Sequence, residues 1–180
     1  MCVRSARDSQ SEAKVLNVLF LCTGNSARSI LAESLLNHLG HGRFRAFSAG
    51  SHPTGSVQPL VLEVLAAHGL STSGLRSKPW DEFARAGAPG MDLIVTVCDT
   101  ARGEICPIWP GRPAAGHWGM TDPAAATGPE EARRRAFEAA FRILEGRIRV
   151  LCALPTEALT PDRIGPALVA IADDNKGDRP

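Results

Sequence analysis

Cys22 and Arg28 are separated by Thr23, Gly24, Asn25, Ser26 and Ala27, all small or polar, and Ser29 follows at once. A thiolate attacks electrophilic centres far better than a thiol. A guanidinium presents a planar fork that fits the oxygens of a tetrahedral oxyanion. The spacing therefore reads as a loop, Thr23 to Arg28, that holds an oxyanion above the Cys22 sulfur. The small side chains of Thr23, Gly24, Ser26 and Ala27 let backbone amides converge on one point. Such positive surroundings bring cysteine pKa values to roughly 3.5–7.5, so Cys22 is expected to be largely ionised at neutral pH.

The flanking elements explain how the loop is positioned. Val18, Leu19, Phe20 and Leu21 form a short apolar run, the mark of a strand covered on both faces, and the strand delivers Cys22 at its carboxyl end. Beyond Ser29, Ile30, Leu31, Leu35, Leu36 and Leu39 repeat on one helical stripe. The loop thus ends at a helix amino terminus, where unpaired N–H groups favour negative charge. Further strands are expected over Arg45–Ala49, Asp92–Val97 and Ala115–Trp118. Helices are expected over Pro59–His68, closed by Gly69, over Pro79–Ala86, and from Pro129 to Ala153. In the last of these Ala132, Ala136, Phe137, Ala140, Phe141, Leu144 and Ile148 keep helical spacing. Alternating strands and helices predict an α/β fold: a single domain with a four-stranded parallel sheet flanked by helices on both faces. In such sheets ligands bind beyond the carboxyl ends of the strands, where Cys22 and Cys98 both fall.

The organisation expected is a flexible polar tail over 1–14, the catalytic domain over 15–154, and an extension over 155–180 with a short helix starting near Pro161. The 180 residues suffice for one full core, and 20 basic against 19 acidic residues give a net charge of +1. That balance predicts no general attraction to nucleic acid or to an anionic membrane. The polar amino terminus lacks the apolar core of a signal peptide, and no run has the length of a membrane span. Five cysteines, an odd number, fit thiol chemistry in a reducing compartment better than a disulfide framework, so a cytoplasmic location is expected. Cys2 and Cys152 are expected to take no catalytic part. The spacing of Cys98, Cys106 and His117 does not match a zinc site.

Four separated motifs carry a family resemblance: the Cys22–Ser29 loop, the Leu93–Asp99 segment ending in Cys98, Cys106 with Pro107, and His117–Trp118 leading to Asp122–Pro123. The chain resembles the low-molecular-weight tyrosine phosphatase superfamily and, within it, the arsenate reductases, over about Val15 to Ala153. The resemblance implies a low-molecular-weight phosphatase-like fold and an arsenic-resistance enzyme that reduces arsenate to arsenite, with residual phosphatase activity expected because the anion loop is shared. It assigns catalysis to Cys22, Arg28, Ser29, Asp122, Cys98 and Cys106, and binding of arsenate or a phosphate-like oxyanion to Thr23, Gly24, Asn25, Ser26, Ala27 and Arg28. In that scheme Asp122 is the proton donor, electrons pass from Cys98 to Cys22 and from Cys106 to Cys98, and thioredoxin or a glutaredoxin and glutathione system recycles the final disulfide. No cofactor is implied. Some relatives bind potassium beside the loop through an acidic residue; around that place this chain offers Lys78, so no metal is expected. Two alternatives remain open: a phosphomonoesterase of the tyrosine phosphatase type, needing only Cys22, Arg28 and Asp122, and a non-catalytic redox sensor. The chain has no tyrosine and carries Ala124 and Ala125 after Asp122–Pro123, which argues against the aromatic rim of a protein phosphatase.

Overall fold

Val18, Leu19, Phe20 and Leu21 are fully buried because their strand lies inside a sheet covered on both faces. The computed structural model describes residues 14–103 and 107–174. Residues 1–13 of the proposed tail and Cys106 therefore lie outside the described residues. Four parallel strands run in the order β2-β1-β3-β4: β1 (Leu16–Cys22), β2 (Phe44–Gly50), β3 (Leu93–Thr96) and β4 (Ala114–His117). The expected parallel α/β architecture is what the chain adopts.

Alternation along β1 divides the core in two. Val18, Phe20 and Cys22 face the larger cluster, built with α1 (Arg28–Leu39), α2 (Pro59–Ala67), α5 (Glu130–Ala153) and α6 (Pro161–Asp174). Leu19 and Leu21 face a smaller cluster with Ala49, Met91, Ile94 and Phe83 of the one-turn helix α3 (Asp81–Ala84), against which Phe47, Trp80 and Trp109 pack. Helix α3 is shorter than the sequence predicts. The chain turns extended at Arg85 and bends through Gly87 at φ 86°, a conformation that glycine adopts without strain. The short helix α4 (Asp99–Gly103) follows β3. Its first residue comes directly after Cys98.

Register places the chemistry at one edge. Leu21 of β1 lies opposite Thr96 of β3, and Val97 continues the pairing by donating to the Leu21 carbonyl at 2.8 Å. Cys22 and Cys98 therefore leave adjacent strands, about 4.8 Å apart in a sheet, one step from each other along the strand direction. Trp118, expected as the last residue of β4, still donates its amide to the Thr96 carbonyl at 2.8 Å while its ring is wholly buried.

Candidate active site

The loop from Thr23 to Ala27 closes because a second segment satisfies its carbonyls from outside. Ser51 donates to the Cys22 carbonyl at 3.3 Å, His52 to Thr23 at 2.9 Å, Thr54 to Gly24 at 2.9 Å and Gln58 to Ser26 at 3.0 Å. The Ser77 hydroxyl adds a bond to the Gly24 carbonyl at 3.3 Å. With its carbonyls engaged on this side, the loop is free to turn amides toward Cys22. Gly50 makes the approach possible: a Cβ there would sit 2.4 Å from the Thr23 carbonyl oxygen. Asn25 takes φ 41°, the left-handed region that asparagine tolerates better than most residues.

Asn25 is fully buried, and its side chain works away from the anion position. Its Nδ2 donates to the hydroxyls of Ser29 and Ser48, both at 2.9 Å, while its Oδ1 accepts from the Lys78 amide at 2.7 Å. The Lys78 ammonium in turn donates to Ser48 at 3.3 Å, to Glu33 at 3.2 Å and to the Arg76 carbonyl at 3.2 Å. Ser48 also donates to Glu33. Asn25 thus offers the loop its amide, while its side chain braces the floor. Neither Ser48 nor Glu33 carries a sequence signal, since each lies on a different element and only the fold joins them.

Cys22 is 3% exposed. Its sulfur accepts from the Asn25 amide at 3.1 Å and lies 3.0 Å from the Ser29 hydroxyl, and the Ser29 amide acts on it as well. These donors favour the thiolate, yet they do not prevail. Burial pushes the thiol above its ordinary value, against the Ser29 hydroxyl and the Asn25 amide, and the nearby Cys98 acts in the same direction as burial. The expected depressed pKa is therefore corrected: removing the sulfur from water outweighs the donors around it.

Arg28 stands at the start of α1 and reaches the Asp122 loop. Its Nη2 pairs with Asp122 Oδ2 at 3.1 Å, and its Nη1 donates to the Met120 carbonyl at 3.1 Å. Its Nε–H, also buried, has no acceptor among the described residues. Asp122 accepts from the Ala124 amide at 3.1 Å, which fixes the carboxylate at the head of a short helical turn over Pro123–Ala125. Cys98 is 2% exposed, lies 3.6 Å from the Thr23 hydroxyl and accepts from the Ala101 amide at 3.3 Å. Its neighbour Asp99 accepts from or pairs with His117 Nε2 at 2.9 Å, while His117 Nδ1 meets the Thr96 hydroxyl at 2.8 Å.

The fold thus gathers Cys22, Thr23, Gly24, Asn25, Ser26, Ala27, Arg28, Ser29, Asp122 and Cys98 at one sheet edge; Cys106 falls outside the described residues. Among the described residues no group of three or more His, Cys, Asp or Glu side chains is placed to hold a metal ion. Nor is any described helix long and apolar enough to cross a membrane. Arg147, like Ser48 and Glu33, is not among the residues the sequence motifs single out. Arg147 is 6% exposed on α5 and donates to the Trp118 carbonyl at 2.8 Å. Its signal was available: a charge set among Leu144, Ile148 and Leu151 on an otherwise apolar stripe.

Known proteins agree with this geometry. The low molecular weight phosphotyrosine protein phosphatase family matches residues 17–162. The chain is 34% identical to an arsenate reductase of Bacillus subtilis over 121 residues, 67% of this chain and 84% of that protein. It is 38% identical to an arsenate reductase of Brevibacillus brevis over 119 residues, 66% of this chain and 84% of that protein. The crystal structure of arsenate reductase from Archaeoglobus fulgidus superposes with a TM-score of 0.60 at 28% identity, covering 76% of this chain and 99% of that one. A thioredoxin-dependent arsenate reductase of Corynebacterium glutamicum superposes with a TM-score of 0.56 at 28% identity, covering 78% of this chain and 61% of that one. A loop of this shape over a buried cysteine, on this sheet and with these relatives, places the chain in the low molecular weight phosphotyrosine protein phosphatase family, in the company of its arsenate reductases.

Proposed function

We propose that this enzyme reduces arsenate to arsenite with a relay of cysteines. The observation that carries the reading is Cys98, whose sulfur sits 3.6 Å from the hydroxyl of Thr23 in the anion loop. Hydrolysis of a phosphate ester has no use for a second thiol at that point.

The Cys22 thiolate attacks arsenic, an As–O bond breaks, and Asp122 protonates the departing oxygen, which leaves as water. Loop amides and Arg28 hold the remaining oxygens, and the Arg28 Nε–H supplies a donor that no described protein group occupies. An arriving oxyanion also competes with Asp122 for the Arg28 fork, loosening that pair as the carboxyl group becomes the proton donor. Cys98 then attacks the Cys22 sulfur: an S–S bond forms, the S–As bond breaks, and its electron pair passes to arsenic, which leaves as arsenite. Cys106 takes Cys98 in a second exchange and frees Cys22. An external dithiol, thioredoxin or a glutaredoxin with glutathione, reduces the last disulfide, and a reducing cytoplasm is where such carriers work.

Because the thiol of Cys22 is raised by burial, the rate is expected to climb as pH rises toward its ionisation. The test is arsenate-dependent oxidation of NADPH coupled through each carrier system. Wild type turns over with at least one of them, and Cys98→Ser abolishes steady turnover. Full activity in Cys98→Ser would overturn the relay, and hydrolysis of aryl phosphate without any arsenate reduction would favour the esterase reading.

A further inference from the structure

The segment between β4 and Asp122 is held from behind by groups that touch no oxyanion. Arg147 of α5 donates from Nη1 to the Trp118 carbonyl at 2.8 Å and reaches the Gly119 carbonyl at 3.4 Å from Nη1 and 3.5 Å from Nη2. Its Nε–H is buried without an acceptor among the described residues. A guanidinium in that position is costly to bury, and burial lowers its pKa. What it meets in return is the pair of carbonyls that open the Asp122 loop.

The same loop is tied to α6. Trp118, 0% exposed, donates its indole N–H to the Leu168 carbonyl at 3.0 Å. Helix and strand approach so closely that a Cβ on Gly116 would lie 2.8 Å from the Leu168 Cβ. Leu168 stands beyond residue 162, where the match to the family ends. Residues Trp118, Gly119, Met120 and Asp122 are thereby held in turn by α6, Arg147 and Arg28.

We propose that Arg147 is a positioning residue for the Asp122 proton donor, and that α6 locks the same loop through Trp118, so that the carboxyl-terminal helix serves the acid step. This rests on the reading of Asp122 as that donor. Both groups act through the loop backbone and neither reaches the reacting atoms.

The test uses the full chain and the variants Arg147→Lys, Arg147→Met, Trp118→Phe and Asp122→Asn. Proton donation matters for an aryl phosphate with a poor leaving group, phenyl phosphate, and hardly at all for 2,4-dinitrophenyl phosphate. Removing a general acid costs on the order of 10²-fold or more. Arg147→Met is expected to lower kcat/KM on phenyl phosphate, which reports the step that expels the phenol, by about 10-fold or more, part of that loss, with little change in kcat/KM on the dinitrophenyl ester. In the Asp122→Asn background it should add nothing. Arg147→Lys keeps the charge but not the fork and should fall between. Trp118→Phe keeps a ring in the core and loses the donor to Leu168; it should repeat the pattern if Arg147→Met fails to fold. Equal losses on both esters, or losses that multiply with Asp122→Asn, would overturn the proposal. Amide hydrogen exchange gives an answer independent of turnover. Faster exchange confined to residues 118–122 in the variants supports the positioning role, whereas a uniform rise across the chain contradicts it. A wild type that consumes neither arsenate nor either ester would remove the proposed function and leave the exchange experiment to decide this one.

Discussion

The Ser29 hydroxyl lies 3.0 Å from the Cys22 sulfur and is itself held by Asn25 at 2.9 Å. A chain of short contacts thus runs from the buried Lys78 through Ser48, Asn25 and Ser29 to the nucleophile. A hydrogen bond to a charged group is worth about 1.5–3 kcal/mol. Ser29→Ala should therefore raise the Cys22 thiol further and slow its alkylation by iodoacetamide near neutral pH by about 10-fold or more. An unchanged alkylation rate and pH profile would show that the hydroxyl does not support the thiolate.

Asn25 joins two hydroxyls and the Lys78 amide while holding φ 41°. Truncating it strands several buried polar groups, each costing about 1–3 kcal/mol. Asn25→Ala is predicted to destabilise the fold by about 3 kcal/mol or more in urea unfolding. Asn25→Gly removes the same side chain without the left-handed strain and should recover about 1 kcal/mol of that loss. Equal midpoints for the two variants would mean the backbone conformation at this position stores no strain.

Lys78 and Glu33 form a buried pair, their side chains 6% and 13% exposed. Breaking a buried pair from one side typically costs about 3–5 kcal/mol, whereas replacing both partners with apolar groups can be nearly neutral. Lys78→Met should sharply lower the denaturant midpoint, and Lys78→Met with Glu33→Leu should restore much of it. A double variant as unstable as the single would mean that Ser48 and the Arg76 carbonyl, the other Lys78 partners, matter more than the charge balance.

The direction of the Cys22 shift fixes a pH dependence of stability. The folded thiol ionises above the ordinary value of 9.0, so in the interval between the two the unfolded chain has lost a proton that the folded chain keeps. The stabilisation is complete below 9.0 and is lost as pH rises through the folded value. Cys152, raised by its own burial against the opposing charges of Arg43 and Arg149, adds in the same direction. Urea midpoints of the reduced protein should fall as pH is raised past this range, less steeply in Cys22→Ser and least in the double variant with Cys152→Ser. Parallel curves for all three proteins would place the sensitivity elsewhere.

The site was most legible where chemistry and local pattern coincide. The run Val18 to Leu21 and the stripe from Ile30 mark a strand and a helix without help from the rest of the chain, so the loop between them reads directly. The register of β1 on β3, which brings Cys98 to the same edge, follows from the parallel pattern. The ionisation of Cys22 was not legible, because donors can be counted along a loop while burial is decided by α1, α5 and the opposite strands together. Ser48 and Glu33 are illegible for a related reason, since each acts across elements far apart in sequence, whereas Arg147 shows only as a lone charge on the apolar stripe of α5. Element ends shifted by a residue or two, as at Ala114–His117, where pairing geometry rather than residue type sets the limit.

The central claim is that oxidation moves from Cys22 to Cys98 as arsenic is reduced. Its most direct measurement is single-turnover arsenate treatment of Cys106→Ser without any carrier, followed by thiol mapping and assay of the arsenic released. The account predicts a Cys22–Cys98 disulfide formed in proportion to arsenite. Arsenite released while Cys98 keeps its free thiol, or a disulfide joining any other pair, would contradict it.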